Sequence, residues 1–277
     1  MNSMKNYIFT FWEPKEKMPA YVKLCVQTWH LFLQNYQIVV LDYSNLNDWL
    51  DKKTIDQILS KDMSLAIQAD AIRIALLEKH GGIWMDADTI ITSSTFLEFC
   101  KKTPLIMIGD PQNLSPHMAF IKASQKSKLL KRWLKHINAR VKFFKSLNRY
   151  KYFYFLIKKK WKKAHAWDFL GNGIINKLLQ KASTKEYKIL DRQTFGVMPE
   201  ILLNKDKTLL QKQIYQKFYF QDNIKPQEIL KTTKGIIMLH NSWTPEMYKQ
   251  LNEEDFFSTD NTLSNLLTFL LQGSKHA

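Results

Sequence analysis

Two aspartates separated by one residue, Asp86 and Asp88, are the most chemically suggestive pair in the chain. If the apolar run 83–91 is one extended strand, alternate side chains share a face. The two carboxylates then stand side by side while Met85 and Ala87 point the other way. Two like charges that close repel each other and resist burial. A divalent cation removes the conflict. Hard oxygen ligands suit magnesium and manganese, and an ion held by one or two carboxylates keeps positions open for phosphate oxygens. The triplet also suits a polar strand end with solvated aspartates, so its meaning depends on its surroundings.

The segment before it carries a second anomaly. Residues 64–80 have helical periodicity, with Ala66, Ile67, Ala69, Ile72, Ile74, Leu76 and Leu77 on one apolar arc and Gln68, Glu78 and Lys79 opposite. Asp70 and Arg73 fall in the middle of the apolar arc. Charges there are costly unless paired or functional, and at i,i+3 these two can pair with each other or reach a polar ligand. Gly81-Gly82 stops the helix and leads straight into the aspartates, which puts both charges near them.

Candidates further along are less specific. His240 follows the apolar run 235–239, at a strand end where ligands gather in open α/β sheets, and admits both a structural hydrogen-bonding role and a metal-ligand role. Ser242 and Trp243 can each donate one hydrogen bond to a ligand oxygen, although Trp243 suits a core position equally. Gly171-Asn172-Gly173 opens an expected helix over 174–180. Either its free amides face a polar or anionic ligand, or Asn172 is a plain cap. Asp168 is a weaker candidate for gripping an acceptor.

The elements that must position these residues follow from pattern. Residues 7–12 read as a buried strand, 20–35 as a helix and 37–42 as a second strand, an order that points to an α/β sheet with crossover helices. Further strands are expected at 105–109, 119–122, 187–190 and 235–239. With no internal repeat and no Pro- or Gly-rich linker, the expected organisation is one catalytic domain over 1–255. A basic, aromatic-rich helical insertion at 122–167 and an amphipathic tail at 256–277 complete it.

Composition narrows the classes. At 277 residues with 45% apolar content the chain can bury a large core. Two cysteines, Cys25 and Cys100, fit a pair of buried thiols better than a disulfide framework. No run reaches the ~18 apolar residues of a membrane-spanning helix, and the N-terminal residues lack the features of a secretory signal, so a cytoplasmic protein is expected. The formal charge of +16 is concentrated. Between Asp110 and Asp168 there are sixteen lysines and arginines and no acidic residue. The alternation of bases with aromatics in 141–163 suits the surface of an anionic membrane, which predicts a peripheral association with the inner face of the cell membrane. It also suits a helical hairpin whose aromatics pack on the main domain.

Three blocks together resemble a known group, the Asp-X-Asp sugar transferases of bacterial capsule and polysaccharide synthesis, related to yeast-type mannosyltransferases and clostridial glucosylating toxins. The blocks are the strand ending at Trp12, the run Ala69-Asp70-Ala71-Ile72-Arg73 through Leu77, and Gly81-Gly82-Ile83-Trp84-Met85-Asp86-Ala87-Asp88. The resemblance is specific over 7–92, looser at 170–173 and 239–243, and thins out over 122–167. It implies a GT-A glycosyltransferase fold, Rossmann-like, with a mixed central sheet flanked by helices.

By position, the resemblance implies that Trp12 stacks on the nucleobase, and that Asp70 and Arg73 hold the sugar and its diphosphate. It further implies that Asp86 and Asp88 bind donor and metal, with the segment of His240, Ser242 and Trp243 completing the site. Asp86, Asp88, Arg73 and Asn172 are the expected catalytic set. The implied reaction transfers a hexose, galactose or glucose, from a uridine diphosphate sugar with retention. Mn2+ or Mg2+ is the expected cofactor, and a saccharide or lipid-linked oligosaccharide the acceptor. Ala69 departs from the family's usual serine. The competing class is a basic nucleic-acid-binding protein, which the charge alone would allow, although no nucleic-acid partner is expected. A two-carboxylate glycoside hydrolase fits less well, because its carboxylates must flank the sugar from separate positions.

Overall fold

The computed structural model describes residues 6–101, 103–125, 127–149, 168–192 and 208–273, together with Ala166 and Phe195. Its centre is a six-stranded sheet in the order β2-β1-β3-β6-β5-β7. The strands are β1 (Asn6–Phe11), β2 (Tyr36–Leu41), β3 (Gly82–Met85), β5 (Leu105–Asp110), β6 (Ser115–Ala123) and β7 (Lys188–Asp191). Only β6 runs against the others. A mixed sheet of this kind, covered by helices on both faces, is the architecture expected from the alternation of strand and helix patterns.

Each strand feeds both faces. In β1, Ile8 joins one core and Phe9 the other; in β3, Met85 and Trp84 divide the same way. Helices α2 (Lys52–Ile58), α3 (Leu65–His80), α4 (Lys128–Arg149) and α5 (Asn172–Leu179) cover one face. The other is covered by α1 (Ala20–Phe32), α6 (Thr208–Phe220), α7 (Pro226–Thr232) and α10 (Thr262–Gln272). Short helices α8 (Glu246–Gln250) and α9 (Glu253–Phe257) precede α10. The leucines of α10 at 263, 266, 267 and 270 are buried, so the apolar face of the C-terminal segment closes this core. Cys25 and Cys100 are both free and buried.

One expected strand is in fact two. The run 83–91 breaks after Met85. The chain turns, with Thr89 N–H donating to Asp86 O at 3.1 Å, and resumes as β4 (Thr89–Ile91), which pairs antiparallel with β8 (Ile236–Met238) in a separate two-stranded sheet. Asp86 and Asp88 therefore flank a turn and do not alternate along a strand. The apolar count on both sides hid the break, because both short strands are buried. Helix α1 anchors the second sheet: Trp29 Nε1 donates to Thr89 O at 2.6 Å, and Ile91 N donates to Thr28 Oγ1 at 2.9 Å.

Gly82 has φ of +100°, and a Cβ there would stand 2.6 Å from Tyr7 O, so only glycine lets β3 lie against β1 at this point. α4 buries Leu129, Leu130, Trp133, Ile137, Val141 and Phe144 along one face and exposes Lys128, Lys131, Lys135 and Lys142 on another. The remainder of the basic, aromatic-rich stretch, residues 150–165, lies outside the described residues.

Candidate functional site

The site is set by counting along α3 and β3. From His80 back to Asp70 the helix covers about 15 Å; from Gly82 to Asp86 the chain advances about 13 Å. Because α3 runs antiparallel to β3, Asp70 and Arg73 come level with Asp86 at the C-terminal edge of the parallel strands.

Arg73 is the hub. Its Nη2 lies 3.3 Å from Asp70 Oδ1 and 3.5 Å from Asp86 Oδ1. Its Nε donates to Ala69 O at 3.3 Å and its Nη1 to Met118 O on β6, while its Cζ stands 4.9 Å from the centre of the Trp84 ring. Two guanidinium N–H groups are thus spent on backbone carbonyls, and Nη2 lies between the two carboxylates. Asp86 Oδ1 also accepts from Trp84 Nε1 at 2.8 Å. The charges on the apolar arc of α3 are thus explained as a buried pair that reaches over to Asp86. Asp70 is pushed up to about 6 by burial, against the pull of Arg73 and with Asp86 and Asp168 adding to the rise.

Asp88 sits differently. It is half-buried, ringed by protein yet open to the cleft. Its Oδ2 accepts from the backbone N–H of Asn241 at 2.8 Å, and among the described residues no basic side chain forms an ion pair with it. Burial, and then the charge of Asp86, raise it to about 7. A cleft of about 470 Å3 joins both aspartates to Arg73, Trp84 and Asn241 and to Trp12 and Glu13.

His240 follows β8 with its ring 4.2 Å from that of Trp243 and 5.7 Å from that of His117. Burial, and then His117, lower it to about 4, so the imidazole is neutral. Ser242 is exposed in the turn beside it, and Trp243 is half-buried. Asn172 is the first residue of α5 and not its cap: Gly171 holds the cap position, and Asn172 Oδ1 is buried without a hydrogen-bond partner among the described residues. Gly171 lies directly on Asp70, where any Cβ would collide with Asp70 Oδ2. This brings the Asn172 turn to the same edge of the sheet. Arg140 on α4 holds the turn, donating from Nη2 to Gly173 O at 2.7 Å and from Nη1 to Phe169 O.

Among the described residues no group of three or more His, Cys, Asp or Glu side chains is set to hold a metal ion. The chemistry of the donors nevertheless fits a divalent cation. Asp86 and Asp88 offer hard oxygens on one cleft, and the raised proton affinity of Asp88 is what a second positive charge would relieve.

The sequence matches the capsular polysaccharide synthesis protein family over residues 1–251. The chain belongs to that family. Among solved structures, it resembles the glycosyltransferase GlyE of Streptococcus pneumoniae at 11% identity and a TM-score of 0.45, covering 98% of this chain and 64% of that one. It resembles the galactosyltransferase LgtC in complex with donor and acceptor sugar analogues at 12% identity and 0.37, covering 74% and 81%. It also resembles the bifunctional glycosyltransferase WbbM at 10% and 0.47, covering 98% and 50%. The chain thus spans about two thirds of GlyE and half of WbbM. At these similarities none of them assigns a role to a residue here. No curated protein matches the sequence.

For this member of the capsular polysaccharide synthesis family, Asp70, Arg73, Asp86, Asp88 and Trp12 share one cleft or its immediate wall, with His240 beside it. Pattern reading missed Trp84, Asn241, His117 and the two tyrosines behind Asn241, Tyr21 and Tyr215. Trp84 and Asn241 stand inside the quoted motifs, but nothing in their spacing announced a hydrogen bond to an aspartate. Tyr21 and Tyr215 lie in apolar helix runs and carry no local signal.

Proposed function

We propose that this protein is a GT-A glycosyltransferase that transfers a hexose, galactose or glucose, from a uridine diphosphate sugar to a saccharide acceptor in capsule-type polysaccharide synthesis, with a divalent metal ion. The observation that carries the reading is one cleft lined by Asp88, which has no ion pair among the described residues, by the Arg73-braced Asp86 and by Trp12. Family membership over 1–251 supports it.

In this reading Trp12 stacks on the base. Arg73 pairs with Asp70 and Asp86 and donates a remaining N–H to a diphosphate oxygen. Asp70 orients the sugar, and Asp86 and Asp88 hold Mn2+ or Mg2+, with the neutral His240 imidazole beside them. When bound, the ion neutralises charge developing on the leaving diphosphate. Ser242 and Trp243 close on the diphosphate, and the Asn172 turn faces the reacting sugar from the α5 side. The acceptor hydroxyl attacks the anomeric carbon as the nucleoside diphosphate departs, and retention of configuration is carried over from the family resemblance. A screen of nucleotide sugars reading released nucleoside diphosphate, with and without manganese, tests the proposal. Metal-dependent release from uridine diphosphate hexoses is expected, and activity with guanosine diphosphate sugars alone would overturn the donor.

The exposed lysines of α4 and the basic stretch that follows support a lipid-linked oligosaccharide as acceptor and a place on an anionic membrane surface. No helix among the described residues is long and apolar enough to cross a membrane. Lysines near such a surface contribute about 1 kcal/mol each. Vesicles containing anionic lipid are expected to bind the protein in a salt-sensitive way. Neutralising Lys158, Lys159, Lys160, Lys162 and Lys163 together should weaken that binding while turnover on a short soluble acceptor persists. Equal association with neutral vesicles would remove the membrane from the proposal.

A further inference from the structure

Behind Asp88 and His240 stand two buried tyrosines from separate helices. Tyr21, on α1, donates its hydroxyl to Asn241 Oδ1 at 2.5 Å, and the backbone N–H of Asn241 donates in turn to Asp88 Oδ2 at 2.8 Å. Tyr215, on α6, accepts from the backbone N–H of His240 at 3.1 Å. The hydroxyl of Thr244 lies beside both phenols, and its backbone N–H closes the turn onto His240 O at 3.1 Å. Burial raises both phenols well above their ordinary value, so each remains a neutral hydroxyl throughout the working range of pH.

Tyr219 gives the contrast. It lies one helical turn along from Tyr215, ring to ring at 5.0 Å, equally buried, with a hydroxyl that has no hydrogen-bond partner among the described residues. Three tyrosines thus fill the same core, and only two of them reach the turn beside the cleft.

We infer that Tyr21 is a positioning residue for Asp88: its hydroxyl fixes the Asn241 side chain, and through it the backbone N–H that aims the Asp88 carboxylate into the cleft. A phenylalanine would fill the same volume but leave Asn241 Oδ1 unpaired. The carboxamide would then be free to turn, and the Asn241 N–H would no longer be held against Asp88. Partners one step behind a ligand of this kind typically change metal affinity about 10- to 100-fold when removed. The expected size of the effect depends on the metal role proposed above; the hydrogen-bonded relay does not.

The test is calorimetric titration of Mn2+, in the presence of uridine diphosphate, into the full chain, Tyr21→Phe, Asn241→Ala, the double variant and Tyr219→Phe. Hydrogen exchange of the Asn241 amide is followed in the same proteins that retain it. Tyr21→Phe should weaken Mn2+ binding about 10- to 100-fold and speed exchange at Asn241, while Tyr219→Phe changes neither. The double variant should be no worse than Asn241→Ala, because both act along one path. Unchanged binding in Tyr21→Phe, or losses that add in the double variant, would overturn the inference. If the unaltered protein binds no Mn2+, the metal reading fails, and exchange alone decides: accelerated exchange in Tyr21→Phe upholds the relay and unchanged exchange sinks it.

Discussion

Asp86 and Asp88 are two residues apart and occupy opposite electrostatic circumstances. Asp86 belongs to a braced cluster, with Arg73 shared between it and Asp70 and the Trp84 indole donating to the same oxygen. Asp88 is met by backbone N–H groups, those of Asn241 and of Asp88 itself, and forms no ion pair among the described residues; burial, and then the charge of Asp86, raise it to about 7. In the proposed reading, one side of the turn is braced by the fold and the other is completed by the metal ion. A motif of two aspartates therefore need not mean two equivalent ligands. Here one carboxylate is braced by an arginine, and the other has no ion pair among the described residues, which is why the proposed cation is assigned mainly to it.

The largest expected effect is on transfer. Asp86→Ala and Asp88→Ala should each lower sugar transfer by about 10^2- to 10^3-fold or more, the scale of losing a charge-stabilising group at a reacting centre, with circular dichroism unchanged. Full activity in the double variant would dismantle the site.

Next comes stability, where the two sides should part company. Arg73→Ala leaves buried Asp70 facing Asp86 without compensation and should cost about 3–5 kcal/mol in denaturant unfolding. Asp88→Asn, measured in chelator at pH 8, should instead stabilise the protein, because the charged form of Asp88 is the disfavoured one. A loss of stability in Asp88→Asn would mean that its carboxylate is compensated in a way the geometry does not reveal.

The pH dependence sharpens the same contrast. The folded-state value of Asp88, about 7, lies above the ordinary carboxylate range, so protonation favours the folded state. That contribution is complete below about pH 4 and is lost as pH rises through 7. The advantage of Asp88→Asn over the unaltered chain should accordingly be on the order of 1–3 kcal/mol at pH 8 and vanish toward pH 4. Asp70, also raised, and His240, lowered, titrate in both proteins and cancel in the difference. The smallest effect is expected at Gly171→Ala, where the new methyl presses on Asp70 and should raise the Michaelis constant for donor more than it lowers turnover.

Much of this was legible because it was local. The period of α3, its Gly-Gly stop and the two charges on its apolar arc fixed where Asp70 and Arg73 had to lie, and the pairing at 3.3 Å follows from i,i+3 spacing. The break of the strand at Asp86 was hidden, because β3 and β4 are both buried and a run of apolar residues has the same appearance whether it is one strand or two. The helix begins at 172, two residues before the expected 174, and the cap alternative for Asn172 is excluded: Gly171 and Gly173 both suit a helix start, and Gly171 packed on Asp70 holds the cap. The link from Asp88 to Asn241 joins positions 153 residues apart, and that from Tyr21 to Asn241 joins positions 220 apart; no window of sequence contains either.

The most direct test of the central claim is thermal unfolding at pH 8 of the unaltered chain and Asp88→Asn, first in chelator and then with Mn2+ and uridine diphosphate. Asp88→Asn should melt higher in chelator. On adding metal and nucleotide the unaltered chain should gain stability by mass action and overtake it, while the variant gains little. If the order does not reverse, or if Mn2+ and uridine diphosphate stabilise both proteins equally, Asp88 is not the carboxylate that waits for the cation.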